Sequence, residues 1–143
     1  MRKVGRLRKP SMVPPRMGFD ALYGLEVADC SDELVRGRVR VGDELLAQSG
    51  GHVHGGVYGA IAEALAARGT AFAVGPEGGI AVGLASHLTS IRGITDGLIH
   101  AVAVRRHRGR TTWVWEVEIS DDEQRRCAVA RVTIAVRGPL SSG

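Results

Sequence analysis

Between His54 and Arg68 the chain carries one charged side chain, Glu63, inside the run Gly-Gly-Val-Tyr-Gly-Ala-Ile-Ala-Glu-Ala-Leu-Ala-Ala. Val57, Tyr58, Ala60, Ile61, Ala64, Leu65 and Ala67 cover nearly the whole circumference of a helix. A helix apolar all round is a central, enclosed one. It is expected to open at Gly55 or Gly56 and to close near Arg68-Gly69, since glycine readily supplies a C-terminal stop. Its alanines suit the close approach of a sheet wrapped about it. A carboxylate in such surroundings is costly unless partnered. Glu63 therefore points to chemistry, with a core Glu paired to an arginine as the competing reading. A helix start also leaves N–H groups unsatisfied at the positive end of its dipole. His54-Gly55-Gly56 can thus present an amide to a developing negative charge, although a plain tight turn would use the same glycines.

The flanking segments read as strands. Val35, Gly37, Val39 and Val41 alternate with Arg36, Arg38 and Arg40, the period of two of a half-buried antiparallel strand. Ala21 to Cys30 has mixed extended character, and Leu45 to Val53 reads as a loop. Downstream, strands are expected at Ile80–Ile91, Leu98–Arg106, Thr111–Ile119 and Cys127–Val136. In the third, Trp113, Trp115, Val117 and Ile119 share one face and Glu116 and Glu118 the other, so the tryptophans read as core. One strand, a central helix and then a run of antiparallel strands make an α+β layout with a sheet curled round one helix.

A length of 143 residues suits a single core. The net charge of +4 misleads, because Arg2, Lys3, Arg6, Arg8, Lys9 and Arg16 lie in a stretch without acidic residues. Without them the body carries about −2, which does not suit a nucleic-acid platform. Residues 1–17 read as a basic disordered tail lacking the apolar core of a secretory signal, and 139–143 as a short flexible tail. No apolar run approaches a membrane span. Cys30 and Cys127 are isolated, as in an intracellular protein without a disulfide framework, and no metal-ligand spacing is present. A cytoplasmic protein with no metal or redox cofactor is expected.

Gln48, His54-Gly55-Gly56 and Glu63, with Glu63 nine residues after the histidine and Gln48 six before it, resemble the hot-dog-fold acyl-CoA thioesterases. The nearest branch is the 4-hydroxybenzoyl-CoA thioesterase type with a helix-borne Glu, similar also to the 1,4-dihydroxy-2-naphthoyl-CoA enzymes. Ala81-Val82-Gly83, Ser86-His87, Ser90-Ile91-Arg92, Thr111-Thr112-Trp113 and Ile134-Ala135-Val136-Arg137 extend the likeness from about Gly18 to Arg137. The resemblance implies a hot-dog domain over 18–138 that hydrolyses an acyl-CoA, by nearest likeness an aromatic one. Glu63 would act as nucleophile or general base, Gly55 N–H as oxyanion donor, Gln48 as a helper, and His54 as a cap whose ring can orient the carbonyl. Arg92, Thr111 and Arg137 fall at nucleotide-contacting positions, and Arg110 stands where the family has a small hydroxyl residue. The basic turn of Arg105, Arg106, Arg108 and Arg110 could bind phosphates or simply be a solvated face. Sites of this family form between subunits, so a homodimer or homotetramer is implied. One departure is Ala67, where the benzoyl-CoA branch has a hydroxyl. That change keeps open a non-catalytic acyl-CoA-binding module.

Overall fold

A computed structural model describes residues 18–138. The tails expected at 1–17 and 139–143 lie outside the described residues. A short helix α1 (Phe19–Leu22) leads into strands β1 (Glu26–Cys30) and β2 (Leu34–Arg40). The long helix α2 (Gly55–Val74) follows, then β3 (Ile80–Ser90), β4 (Leu98–Arg108), β5 (Thr112–Ser120) and β6 (Arg126–Arg137). The six strands form one antiparallel sheet in the order β1-β2-β4-β5-β6-β3. The chain therefore leaves α2 at the far edge, lays down β3 there, and fills the middle of the sheet afterwards.

Alternation fixes which face meets the helix. Val35 and Val39 of β2, Ile99, Ala101 and Ala103 of β4, Trp113, Trp115, Val117 and Ile119 of β5, and Val132 and Ile134 of β6 are buried. They close over Tyr58, Ile61, Ala62, Leu65 and Ala66 of α2. Both tryptophans are core, as expected. The Trp115 indole N–H donates to Thr70 Oγ1 at 2.9 Å, and that hydroxyl donates to the Ala66 carbonyl at 2.9 Å. The buried indole thus keeps a hydrogen-bond partner.

Three expectations change. Ala21 to Cys30 is not extended throughout, because α1 takes its first residues. Tyr23 OH bonds Asp20 at 2.9 Å, and Arg68 bonds the same carboxylate at 3.2 Å, tying α1 to α2. Burial, together with the adjoining Asp20 carboxylate, pushes the Tyr23 phenol above its ordinary pKa, so it stays a donor. Next, Gly69 does not stop the helix, which runs on to Val74. Gly69 is instead the gap into which Trp115 packs, and a Cβ there would overlap the indole ring and crowd Val35. Gly69→Ala should cost about 2 kcal/mol net, overpacking of about 3 offset by about 1 of helix propensity. A lowered urea midpoint at unchanged slope is the expected reading, and a raised midpoint would contradict this packing.

The third change concerns enclosure. Among the described residues only one side of α2 is covered: Glu63, Arg68, Ala71 and Phe72 are exposed. The neighbouring edge strand β3 is open too, with Ile80, Val82 and Leu84 at 59%, 46% and 58% exposure. The apolar circumference of the helix is real, but the sheet formed by the described residues does not wrap all of it.

Candidate active site

Gly55 is the first residue of α2 and half-buried. Leu46 and Val53 form an isolated bridge, and the His54 N–H donates to Leu45 O at 2.8 Å, which sets the chain's entry into the helix. His54 is the N-cap: its Nδ1 accepts from Gly56 N–H at 2.8 Å, and its carbonyl accepts from Val57 N–H at 2.9 Å. A neutral ring in that role carries its proton on Nε2. With Gly56 and Val57 engaged, the Gly55 amide is the first-turn donor without an acceptor among the described residues. It faces a groove of about 430 Å³ lined by Gly50, His52, Val53, Tyr58, Ser90, Ile91, Arg92, Gly93 and Thr95. Ser90 Oγ would stand 3.5 Å from a Cβ at position 55, so the amide lies beside the end of β3. Tyr58 OH reaches toward the Arg92 carbonyl at 3.5 Å. Burial raises that phenol's pKa and keeps it a donor.

Glu63 is neither buried nor ion-paired among the described residues. The paired-core reading of this carboxylate is therefore wrong, and so is its placement in the interior. Its carboxylate lies against Gly83 of β3, where a Cβ would collide with Oε1 and the carboxyl carbon. Glycine at position 83 thus makes room for the carboxylate on the open face. Gly55 and Glu63 do not converge within one chain. Eight residues of helix separate them by roughly 12 Å, and their neighbours on β3, Ser90 and Gly83, stand roughly 23 Å apart along the strand.

Gln48 is exposed in the turn closed by Gly50 N–H to Ala47 O at 3.4 Å, and no side-chain hydrogen bond ties it to Gly55 or Glu63. Ala67 is half-buried. The next hydroxyl along, Thr70, is fully buried and spent on Trp115 and Ala66, so it cannot replace the missing one.

The positions implied for the nucleotide divide into two groups. Arg110, Thr111 and Arg137 sit together at one end of the sheet, where Val136 N–H donates to Thr111 O at 2.8 Å. Arg92 lies at the other end, the length of β6 away. The basic turn is largely committed elsewhere. Arg105 and Arg108 both bond Asp32, at 3.2 and 2.9 Å, and both guanidinium groups lie over the Trp113 ring, at 5.2 and 4.7 Å from its centre. Arg106 pairs with Glu116 at 3.0 Å. Phosphate binding by those three is thereby corrected to a structural role pinning the β4–β5 hairpin to the β1–β2 turn. Arg110 has no such partner among the described residues. His52, Tyr58, Ser90 and Thr95 are groove residues that the chemistry of the sequence did not single out.

Among the described residues no helix is long and apolar enough to cross a membrane, and no cluster of three or more His, Cys, Asp or Glu side chains could hold a metal ion. Residues 50–128 match the thioesterase superfamily. The chain is 34% identical over 121 residues to a 1,4-dihydroxy-2-naphthoyl-CoA hydrolase of Listeria monocytogenes, covering 85% of this chain and 97% of that protein. It is 30% identical over 132 residues to the proofreading thioesterase EntH of Cronobacter turicensis, covering 85% and 96%. The crystal structure of a variant of the thioesterase SAV0944 from Staphylococcus aureus superposes with a TM-score of 0.79 at 29% identity, covering 82% of this chain and 97% of that one. With its single antiparallel sheet round one long helix, the chain is a thioesterase of the hot-dog fold and belongs to the thioesterase superfamily.

Proposed function

We propose that the protein hydrolyses an aromatic acyl-CoA to the free acid and CoA in a site shared by two copies of the chain. The observation that carries this is the state of two groups on one helix: among the described residues, an amide without an acceptor at Gly55 and a carboxylate without a cation at Glu63. The Gly55 N–H donates to the thioester oxygen as charge develops on it, a contact worth about 3–4 kcal/mol in the transition state. The Glu63 carboxylate attacks the carbonyl carbon or takes a proton from the water that does so. The C–S bond then breaks. On the water route the free acid forms directly and the proton taken by Glu63 passes to the departing sulfur. On the direct route CoA leaves as the thiolate and takes a proton from water, and a second water hydrolyses the acyl–Glu63 anhydride to the free acid. Gln48, on its exposed turn, steadies the thioester. The likeness to an enzyme named for a dihydroxynaphthoyl-CoA supports an aromatic acyl group.

The second copy follows from the open edge. Bare strand edges with apolar side chains are templates for pairing. An antiparallel copy of β3 centred on Ala85 would set the partner's Gly83 opposite His87, and so the partner's Glu63 roughly 10 Å of strand from Ser90 instead of roughly 23 Å. It would also bring the partner's Arg110, Thr111 and Arg137 to the Arg92 end, uniting the two groups of nucleotide contacts. Pairing covers Ile80, Val82, Leu84 and the open face of α2. A homodimer, or a tetramer of two such dimers, is the expected assembly. Val82→Lys with Leu84→Lys should shift the sedimenting species to monomer and abolish turnover together. Full activity in a monomer would contradict the shared site.

Thiol release from a panel of aryl and aliphatic acyl-CoAs tests the reading. Aryl thioesters should be turned over fastest, and no turnover of any thioester would overturn it.

A further inference from the structure

We propose that His52 is a second phosphate contact for the CoA moiety, working beside Arg92 in the groove next to Gly55. This rests on the acyl-CoA reading above. Ten residues line that groove; none is acidic, and only Val53 and Ile91 are aliphatic. The rest offer a guanidinium, an imidazole, the hydroxyls of Tyr58, Ser90 and Thr95, and glycine backbone. Such a lining suits an anion and wastes the burial of an apolar acyl group.

Arg36, Arg38, Arg68, Arg105, Arg106, Arg108, Arg125 and Arg126 each have a carboxylate partner. Arg92, inside the groove, has none among the described residues. Arg40, Arg110, Arg131 and Arg137 also lack one among the described residues. Arg92, however, is the arginine that lines this groove, where a guanidinium with hydroxyls and an imidazole around it matches a phosphate diester or monoester.

His52 is held for this role by its neighbours. Its ring lies against Gly50, where any Cβ would collide with the imidazole, and a Cβ on Gly93 would come within 3.1 Å of the His52 Cβ. Two glycines on separate loops therefore leave the slot in which the histidine sits. Its Nδ1 lies 3.2 Å from the Gly50 carbonyl, so Nδ1 carries a proton and Nε2 is the nitrogen left for a ligand. As an imidazolium that nitrogen donates to a phosphate oxygen. His54, two residues on, is occupied with capping and lies outside the groove lining, so the two histidines divide the tasks.

The experiment measures the affinity of free CoA and of pantetheine, which lacks the phosphates, for the wild type, His52→Ala and His52→Gln by titration calorimetry. His52→Ala should weaken CoA binding about tenfold, of the order expected for one charge-assisted hydrogen bond, and leave pantetheine unchanged. His52→Gln, which keeps a donor, should recover part of the loss. Unaltered thermal midpoints would show that the loop is intact. Equal losses for CoA and pantetheine, or no loss for either, would overturn the phosphate role. Failure of the thioesterase reading shows separately, as absent turnover by a wild type that still binds CoA.

Discussion

Glu63→Gln should lower kcat by about 10²–10⁴-fold, the range for loss of a positioned base, with KM little changed. Glutamine keeps the shape and can still fit against Gly83, so the fold is preserved while the carboxylate is lost. The substitution is mild for stability because Glu63 is exposed and makes no ion pair within the described residues. Nothing in the core depends on it. A stopped assay of thiol release, run at saturating acyl-CoA, gives the result. A variant that kept wild-type kcat would remove Glu63 from the chemistry and leave a carboxylate on an open helix face without a function.

Gly55→Pro is the second large effect and isolates the amide. Proline lacks the N–H but is favoured at the first position of a helix. The preceding residue must be extended, and His54 already has φ −61° and ψ 134°. A Cβ at position 55 meets nothing nearer than Ser90 Oγ at 3.5 Å, an ordinary contact. The helix should therefore form as before and lose only its free donor. Removal of one oxyanion donor lowers kcat by about 10²–10³-fold. Gly55→Ala, which keeps the N–H, should retain most of the activity. Equal losses in the two variants would mean that space, not the amide, matters at this position.

Much of this frame was legible in the residues. Alternation in β2 and β5 identified buried faces, because a strand in a one-sided sheet repeats every two residues. The pairing of an N-terminal glycine amide with a lone Glu on the same helix also stood out. Enclosure was misread for a physical reason: an apolar circumference says that a helix will be covered, not which chain covers it. Gly69 looked like a helix stop because local preference cannot reveal that Trp115, 46 residues later, needs the space. The basic turn stayed open between a phosphate site and a solvated face because its counterion, Asp32, lies 73 residues before Arg105. His52 passed unnoticed, since the slot between Gly50 and Gly93 exists only once two distant loops meet. The separation of Arg92 from Arg137 likewise needs the sheet order, which places β3 and β6 side by side and antiparallel.

Co-expression of Gly55→Pro and Glu63→Gln chains tests the shared site most directly. Each homodimer lacks one essential group in both sites. In a mixed dimer one site draws Gly55 from the Glu63→Gln chain and Glu63 from the Gly55→Pro chain, and is whole. Random pairing makes half the dimers mixed, so the sample should recover about a quarter of wild-type kcat. Activity no higher than that of the separate variants would place both groups of a site on one chain and contradict the account.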